Sequence, residues 1–307
     1  MIEMAKDPAA AVMRLTPRDR ALIEVLGEVR YLTAAQIQQV CYPSASADTT
    51  RHRLSLLKKR GVLTYLAHRA FEDRRAFWGL SPAGRTAAEA VAAAEQGAPA
   101  AAAPRAVAVA ALQIEHLIAT NQVFCDLCGQ HRAGRLGAFR WLGSHHAQVD
   151  LEDTRLVPDA LILVGTPDGG VWMYCLELDQ GTMAPLQLSA KFARYRRFHD
   201  IANLRRDEPV WGIRASSWVV FACKDSARAA CAAQLAVRAG LERIWAGTAA
   251  EVAAGLAASV GPETVIRLGD LPPGLTGGIV PPCMGGALPV DERETRDDRE
   301  TREEGSQ

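Results

Sequence analysis

The feature that most constrains the fold is a pair of apolar runs joined by a tight-turn sequence. Residues 158–164 read PDALILV and residues 171–179 read VWMYCLELD, with the turn formers PDGG shortly before the second run. Apolar runs of this length, bounded by turn residues, predict an antiparallel β-hairpin. A hairpin loop of about two to five residues places Asp159 opposite residue 177, 178 or 179.

The segments around this hairpin alternate between helical and strand patterns. Apolar residues at helical spacing between 112 and 127 precede strand-like residues 136–143, and a helical segment at 185–200 follows the hairpin. The order then continues with a strand (217–223), a helix (226–239), a short strand at Ile244-Trp245 and a closing helix. The order helix, three strands, helix, strand predicts a mixed sheet covered by helices. We therefore assign residues 111–268 to an α/β domain.

Acidic side chains lie at the open end of the predicted hairpin, where the first strand begins and the second strand ends. Glu177 and Asp179 share one face because side chains alternate along a strand, and the pairing brings Asp159 beside them. Carboxylates at the end of apolar strands are costly without a compensating charge, and Mg²⁺ or Mn²⁺ prefers oxygen ligands of this kind. We therefore expect Asp159, Glu177 and Asp179 to bind Mg²⁺ or Mn²⁺. For each acid alone, a solvated strand end is the alternative.

The helix after the hairpin carries a lysine and several arginines. Lys191 and Tyr195 lie one turn apart on one face, with Arg194 and Arg197 close by. A lysine beside a metal–carboxylate pair can stabilise charge on a phosphate or hold the attacking water, and arginines can bind the nucleic-acid backbone. The helix alone is also compatible with an ordinary amphipathic surface helix. The expected catalytic residues are Asp159, Glu177, Lys191, Asp179 and Tyr195.

The first 90 residues predict a winged helix-turn-helix domain. Thr16, Thr33 and the segment near Ser46 mark the starts of three short helices, and strand-like runs follow at 61–69 and 74–84. Three helices followed by a hairpin are the order of elements in this DNA-binding fold. The fold class expected for the whole chain is therefore α/β, with a winged helix-turn-helix followed by a mixed-sheet α/β domain.

A basic surface on this first domain predicts contact with double-stranded DNA. Residues 1–85 contain 14 Lys and Arg against 8 Asp and Glu, although the whole chain balances at 35 of each. The third helix would enter the major groove and the hairpin would reach phosphates. A dimerisation or protein-contact module with a solvated basic face is the alternative. The expected DNA-contacting residues are Thr49, Thr50, Arg51, Arg53, Lys58, Arg69, Arg74 and Arg75, together with Arg194 and Arg197 of the later helix.

The remaining segments are expected to be connections. Residues 91–110 are rich in alanine and proline and predict an interdomain linker, and residues 269–307 combine a Pro/Gly-rich stretch with a charged tail expected to be disordered. The chain shows neither a signal-peptide pattern nor an apolar run long enough to span a membrane, so we expect a cytoplasmic protein without a membrane partner.

Two further motifs are expected to be structural. Cys125-x-x-Cys128, followed by His131, lacks a second pair of ligands at a workable spacing, which favours core thiols over a zinc site. The pair His145-His146 precedes Asp159 in a polar loop and is expected to be solvated.

The acids and the lysine resemble the PD-(D/E)xK nuclease superfamily. Pro158-Asp159 is followed by Glu177-Leu178-Asp179 and then by Lys191. The resemblance implies that the mixed-sheet α/β domain is restriction-endonuclease-like. In the common pattern the lysine lies two residues after the glutamate; Asp179 occupies that place here, so Lys191 would substitute. The superfamily often places an acid on the first helix of the domain, and the second-rank candidates there are Glu115, His116 and Asn121.

A larger set of features extends over residues 15 to about 225. It consists of Thr-Pro-Arg-Asp from Thr16, Leu57 to Leu63, Trp78 to Gly84, His116 with Asn121, and the E-x-D-x-G-T segment from Glu177 followed by Lys191 and Tyr195. In these features the chain resembles the replication-relaxation family of bacterial plasmids and integrative elements. The resemblance implies a role in plasmid replication or mobilisation, and some members resemble relaxases that nick DNA.

Three functions remain open from the sequence. The first is a Mg²⁺- or Mn²⁺-dependent DNA endonuclease or nickase. The second is a non-catalytic regulator or replication accessory, in which the second domain forms a homodimer or binds other replication or mobilisation proteins. The third, covalent attack on phosphate by Tyr195, is disfavoured because the histidine cluster that usually accompanies it is absent from the neighbouring strands.

Overall fold

A five-stranded mixed sheet and a smaller three-stranded sheet organise the helices of the chain. A computed structural model describes residues 15–67, 76–96, 111–151, 154–165, 171–204 and 215–260. The helices in these ranges are α1 (Pro17–Val29), α2 (Ala34–Cys41), α3 (Ala47–Lys59), α4 (Pro82–Gln96), α5 (Ala111–Arg132), α6 (Pro185–Leu204), α7 (Ser226–Arg238) and α8 (Ala249–Val260). The strands are β1 (Tyr31–Thr33), β2 (Leu63–Ala67), β3 (Ala76–Leu80), β4 (Phe139–Gly143), β5 (Val149–Leu151), β6 (Thr154–Leu156), β7 (Ala160–Gly165), β8 (Val171–Asp179), β9 (Ala215–Cys223) and β10 (Ile244–Thr248). Across these ranges no helix has both the length and the apolar character needed to cross a membrane.

The first three helices begin at the predicted capping residues. Thr16 and Thr33 each accept a hydrogen bond from the backbone three residues later, and the side chains of Asp19 and Gln36 return the contact, which completes two capping boxes. The Ser46 side chain caps α3 in the same way. These local contacts satisfy backbone donors at each helix start, so the predicted helices are confirmed.

A small antiparallel sheet accompanies these helices. Its strand order is β1-β3-β2, and β2 and β3 are the predicted hairpin. The sequence pattern does not predict β1, because three residues are too few to show alternation; its central residue Leu32 is nonetheless fully buried and pairs with Trp78. The hairpin arginines Arg69, Arg74 and Arg75 lie outside the described residues.

The larger sheet has the order β10-β9-β8-β7-β4. Strands β4, β7 and β8 are antiparallel neighbours, whereas β9 and β10 are added in parallel. Helices α6 and α7 supply the crossovers that parallel neighbours require. The predicted mixed α/β sheet is therefore confirmed, and the short β5–β6 hairpin is an addition that the sequence pattern does not predict.

Different helices cover the two faces of this sheet. Ile162 belongs to the buried cluster that contains Phe124 of α5, while its neighbour Leu161 belongs to the cluster that contains Phe192 of α6. Side chains alternate between the faces, so Glu177, which follows Cys175 by two residues, is directed towards α6.

The N-terminal helices and the α/β part share one hydrophobic core. Leu22 and Leu54 belong to the same buried cluster as Phe124 and Trp141. The prediction that the linker begins at residue 91 is corrected, because α4 continues to Gln96 through alanines, which favour helix. The rest of the linker, residues 97–110, and the Pro/Gly-rich segment and tail, 269–307, lie outside the described residues.

Polar contacts from α5 also fix the two parts against each other. The buried Asn121 amide donates to the carbonyls of Val29 and Tyr31 at 2.9 and 2.8 Å. The Gln36 amide donates to the carbonyl of Ile118 at 3.0 Å. Asn121, a second-rank site candidate, thus links α5 to the end of α1 and to β1.

We expect Asn121→Ala to lower the free energy of unfolding by about 2 to 3 kcal/mol, because it leaves two carbonyl groups at this joint without their donor. Urea unfolding followed by circular dichroism measures the change. Gln130→Ala on the same helix is the matched control and should cost less than about 0.5 kcal/mol. Equal effects of the two substitutions would contradict the role given to Asn121.

Candidate active site

The site lies where β7 begins and β8 ends. Ala160 pairs with Leu176, so the next pair brings Asp159 opposite Glu177, within the range predicted from the turn. The Asp159 N–H donates to the Leu176 carbonyl at 3.0 Å, and the Leu178 N–H donates to Asp159 Oδ2 at 2.8 Å. The carboxylate of Asp159 therefore takes the place of a backbone acceptor where the ladder ends, one residue after Pro158, which has no N–H.

Glu177 is a buried carboxylate held by two side chains of α6. Its exposed fraction is 1%, and it accepts hydrogen bonds from Lys191 Nζ at Oε2 and from Tyr195 Oη, 2.5 Å away, at Oε1. Lys191 and Tyr195 reach the same carboxylate because they are four residues apart on one helix face. The structure thus brings together three of the expected catalytic residues.

Burial raises the pKa of Glu177 to about 7; the negative charge of Asp159 adds to this shift and Lys191 opposes it. Burial and the Glu177 charge also raise the pKa of Tyr195 well above its ordinary value. Tyr195 is therefore a neutral hydrogen-bond donor with no exposed surface. This placement gives no support to Tyr195 as a nucleophile, because attack requires an ionised and accessible oxygen.

Asp159 is the more exposed acid and has a histidine partner. His116 Nε2 of α5 lies 2.8 Å from Asp159 Oδ1, with side-chain exposures of 38% and 22%. Burial alone would raise the pKa of Asp159, but the hydrogen bond and charge of His116, the charge of Lys191 and the Leu178 N–H together lower it. The bond to Asp159 raises the pKa of His116 despite partial burial. The site therefore contains one carboxylate that ionises readily and one that resists ionisation.

Asp179 does not join the other two acids, which corrects the predicted three-acid ligand set. Arg228 Nε lies 2.5 Å from Asp179 Oδ2, and the Gly181 N–H donates to Oδ1 at 2.9 Å. Among the described residues, the three acids do not form a group whose ligand atoms all lie within 4.8 Å of one another. The physical reason is the arginine, which comes from the first turn of α7 and neutralises Asp179 at the end of β8. Asp159 and Glu177 are the acids that remain at the site.

The other predicted residues around the site are on the surface. Glu115 is exposed on α5, one residue before His116. Arg194 and Arg197 are exposed on α6, on either side of Tyr195. Both arginines are on the helix that also carries Lys191.

The predicted DNA-contacting face of α3 is only partly exposed. Thr49, Arg51 and Lys58 are exposed; Arg51 pairs with Asp48 at 2.7 Å, and Lys58 Nζ lies 3.8 Å from the centre of the Tyr65 ring. A surface ion pair of this kind contributes little to stability, so Arg51 is available for other contacts.

For two residues of this face, the prediction of DNA contact is corrected because their side chains are engaged inside the protein. Thr50 is 1% exposed and its hydroxyl donates to the Ser46 carbonyl inside the helix. Arg53 has a side-chain exposure of 15% and forms an ion pair with Asp19, which is completely buried. Asp19 also accepts a hydrogen bond from the hydroxyl of Tyr42 at 3.2 Å. Asp19 is a buried charge that needs a partner, so Arg53 stabilises the helix packing.

A histidine cluster was not expected from the sequence. His145 and His146, predicted to be solvated, contact Glu28 at the end of α1, and the His145 side chain is only 11% exposed. Glu28 lies more than 100 residues earlier in the chain, so no local spacing indicates the contact. By contrast, Cys125 and Cys128 are buried in the core, as expected.

A protein-family model described as replication-relaxation matches residues 23–208, more than half of the chain. The matched range contains Asp159, Glu177, Lys191 and His116. No curated protein and no solved structure matches the chain.

The raised pKa of Glu177 predicts a specific pH dependence of stability. The folded-state pKa of about 7 exceeds the ordinary value of 4.5, so the contribution of this carboxyl is present below pH 4.5 and is lost as the pH rises through 7. Relative to Glu177→Gln, which does not titrate, the wild type should lose about 2 kcal/mol between pH 5 and pH 8. Urea unfolding in a chelator at both pH values measures this difference. The exposed Glu242→Gln is the control and should show no such change; a pH-independent difference for Glu177→Gln would contradict the shifted pKa.

Proposed function

Because the chain belongs to the replication-relaxation family, we propose that it processes DNA during the replication or mobilisation of a plasmid or another mobile element. Membership supports a role in replication or relaxation. The finer proposal is that the α/β part is a metal-dependent DNA endonuclease or nickase of the PD-(D/E)xK type. The observation that carries it is the meeting of Asp159, Glu177 and Lys191 at the shared end of β7 and β8.

The donor set fits a hard divalent cation. Asp159 and Glu177 offer carboxylate oxygens from adjacent strands, and Mg²⁺ or Mn²⁺ commonly takes one or two protein carboxylates and fills its other positions with water and phosphate oxygens. Asp179 is engaged by Arg228, so it is not part of the proposed ligand set. When bound, such a cation would supply positive charge for a phosphate oxygen and lower the pKa of a coordinated water.

The residues of the chain have separate roles in the proposed cleavage. Lys191 is the cation nearest Glu177, and it would stabilise the charge that develops on the phosphate or orient the attacking water. Tyr195 fixes the Glu177 carboxylate from its buried side. His116 is positioned to hold or exchange a proton at Asp159 Oδ1, and the hydrogen bond to Asp159 raises the pKa of its imidazole.

For the N-terminal part we propose a winged helix-turn-helix that binds double-stranded DNA. Support comes from the order helix, strand, helix, helix and hairpin, and from the small sheet in which β1 joins the hairpin. The exposed side of α3 presents Thr49, Arg51 and Lys58, whose donors can reach bases and phosphates from the major groove. Arg194 and Arg197 of α6 would contact the backbone nearer the site of cleavage.

A second candidate is a non-catalytic DNA-binding regulator or replication accessory. The observation that favours it is that both carboxylate oxygens of Glu177 already accept hydrogen bonds, from Lys191 and from Tyr195. The raised pKa of Glu177 also opposes its ionisation. In this case the α/β part would serve in dimerisation or in contact with other replication or mobilisation proteins. Calorimetry with Mn²⁺ distinguishes the candidates, because only the nuclease requires metal binding that is lost in Glu177→Gln.

The nuclease proposal predicts relaxation of supercoiled plasmid. The wild type with Mg²⁺ or Mn²⁺ should nick or cut a plasmid that carries the replication origin of the element, and a chelator should stop the reaction. Glu177→Gln, Asp159→Asn and Lys191→Met should each slow it by about 100-fold or more, since each removes charge from the reacting site. Glu242→Gln, on the surface after α7, is the control and should cut at the wild-type rate. Undiminished cutting by Glu177→Gln would rule out this mechanism.

The DNA-binding proposal predicts a change in salt dependence. In the double variant Arg51→Ala, Lys58→Ala, the slope of log affinity against log salt concentration should decrease by about 1 to 2, because each side chain that no longer neutralises a phosphate lowers the slope by roughly one. Fluorescence anisotropy with duplex DNA over a range of salt concentrations measures this slope. The control is Arg238→Ala, an exposed arginine of α7. An unchanged slope in the double variant would place the DNA contact elsewhere.

A further inference from the structure

A cluster of three potential metal ligands, none of which belongs to the set Asp159, Glu177 and Lys191, lies where β4 ends. Glu28 comes from the last turn of α1, and His145 and His146 come from the turn that follows β4. Among the described residues, these three form the group whose ligand atoms all lie within 4.8 Å of one another. We propose that Glu28, His145 and His146 bind a divalent transition-metal ion of the zinc class.

The distances between ligand atoms suit a small tetrahedral ion. His146 Nδ1 lies 2.9 Å from Glu28 Oε2, and His145 Nε2 lies 3.9 Å from the same oxygen. Ligand bonds of about 2.0 to 2.1 Å in a tetrahedral zinc site place neighbouring ligand atoms roughly 3.3 Å apart, between these two values. The rings of His145 and His146 are tilted by 41° to each other, with their centres 4.1 Å apart. Small rotations of these side chains would bring the three ligand atoms to the spacing of a tetrahedral site.

The backbone around the cluster holds the carboxylate in place. The Gly143 N–H donates to Glu28 Oε1, which leaves Oε2 directed at both histidines. A Cβ at Gly143 would lie 3.0 Å from the Glu28 carbonyl oxygen and 3.0 Å from His145 Cε1, so this position accommodates glycine and little else. A ligand whose second oxygen is held by a backbone donor has the supporting contact that metal carboxylates typically show.

The ligand types select the class of metal. Two imidazoles and one carboxylate favour Zn²⁺, Co²⁺ or Ni²⁺ over Mg²⁺, which prefers oxygen ligands. Two cations face the cluster: the charge of Arg140 on β4 acts on Glu28, and that of Arg30 acts on His145. Their charge limits the affinity of the site.

The position of the cluster gives a bound ion a structural effect. Glu28 belongs to the N-terminal helices, whereas both histidines belong to the α/β part. Gly143 pairs with Ala160, the residue after Asp159, so the cluster is also close in the sheet to the start of β7. An ion at this position would cross-link α1 to the sheet beside the candidate active site, and binding to the folded state would raise the melting temperature.

The test uses the full-length protein freed of metal with a chelator and titrated with Zn²⁺ by calorimetry. We expect one equivalent of Zn²⁺ to bind and to raise the melting temperature in the wild type, in the control His52→Ala on the exposed side of α3, and in Glu177→Gln. Co²⁺ in place of Zn²⁺ should give the visible absorption of a four-coordinate site. His145→Ala and His146→Ala should each weaken binding at least tenfold and abolish the thermal shift.

Glu28→Gln provides a second measurement that does not depend on the folding of the histidine variants. It retains an acceptor for the Gly143 N–H and the size of the side chain but removes the charged ligand, so Zn²⁺ binding should again fall at least tenfold. Binding that survives Glu28→Gln, or that is lost in Glu177→Gln, would place the ion elsewhere. If the wild type binds no stoichiometric Zn²⁺, the proposal is overturned, and the contacts among Glu28, His145 and His146 are only structural.

Discussion

The pairing of β7 with β8 is the constraint on which the candidate site depends. With Ala160 opposite Leu176, Asp159 falls opposite Glu177, and both lie near the end of strands that are apolar except for Asp179. A shift of one residue would turn Glu177 away from α6 and would place Leu178 against Lys191. The buried positions along both strands prevent that shift, because it would also exchange the side chains that face the two cores. The register of β7 against β8 therefore determines both the packing of the sheet and the positions of the acids at the site.

The joint between the two parts of the chain is a second constraint. The N-terminal helices contribute to the same core as α5 and the sheet, and Asn121 and Gln36 provide hydrogen bonds across the joint. Separate domains on a linker could move independently, but a shared core has few alternative packings. The proposed DNA-binding face of α3 and the candidate active site are thus parts of one packed unit, which suits an enzyme that acts at one place relative to its binding sequence.

Local features of the structure could be predicted from the sequence, and contacts between distant residues could not. Capping residues such as Thr16 and Thr33 act within four residues, and the hairpin turn limits the partner of Asp159 to residues 177–179, so the helix starts and the approximate pairing follow from local sequence patterns. The partner of Asp179 is Arg228, 49 residues later, and the partner of Asp19 is Arg53, 34 residues later. Nothing in the spacing around an acid reveals which distant arginine neutralises it. For the same reason, the residues proposed for the zinc-class site appear in the sequence as one glutamate on a helix and two histidines in a polar loop.

Helix α5 has 22 residues, which corresponds to a rod about 33 Å long. Its first turns carry His116 at the Asp159 carboxylate, and its middle turns bind the end of α1, β1 and α2 through Asn121 and neighbouring groups. A rod of this kind transmits displacement along its length instead of absorbing it. The same helix therefore carries the histidine that contacts Asp159 and the groups that hold the N-terminal helices, so the packing of those helices helps to position His116.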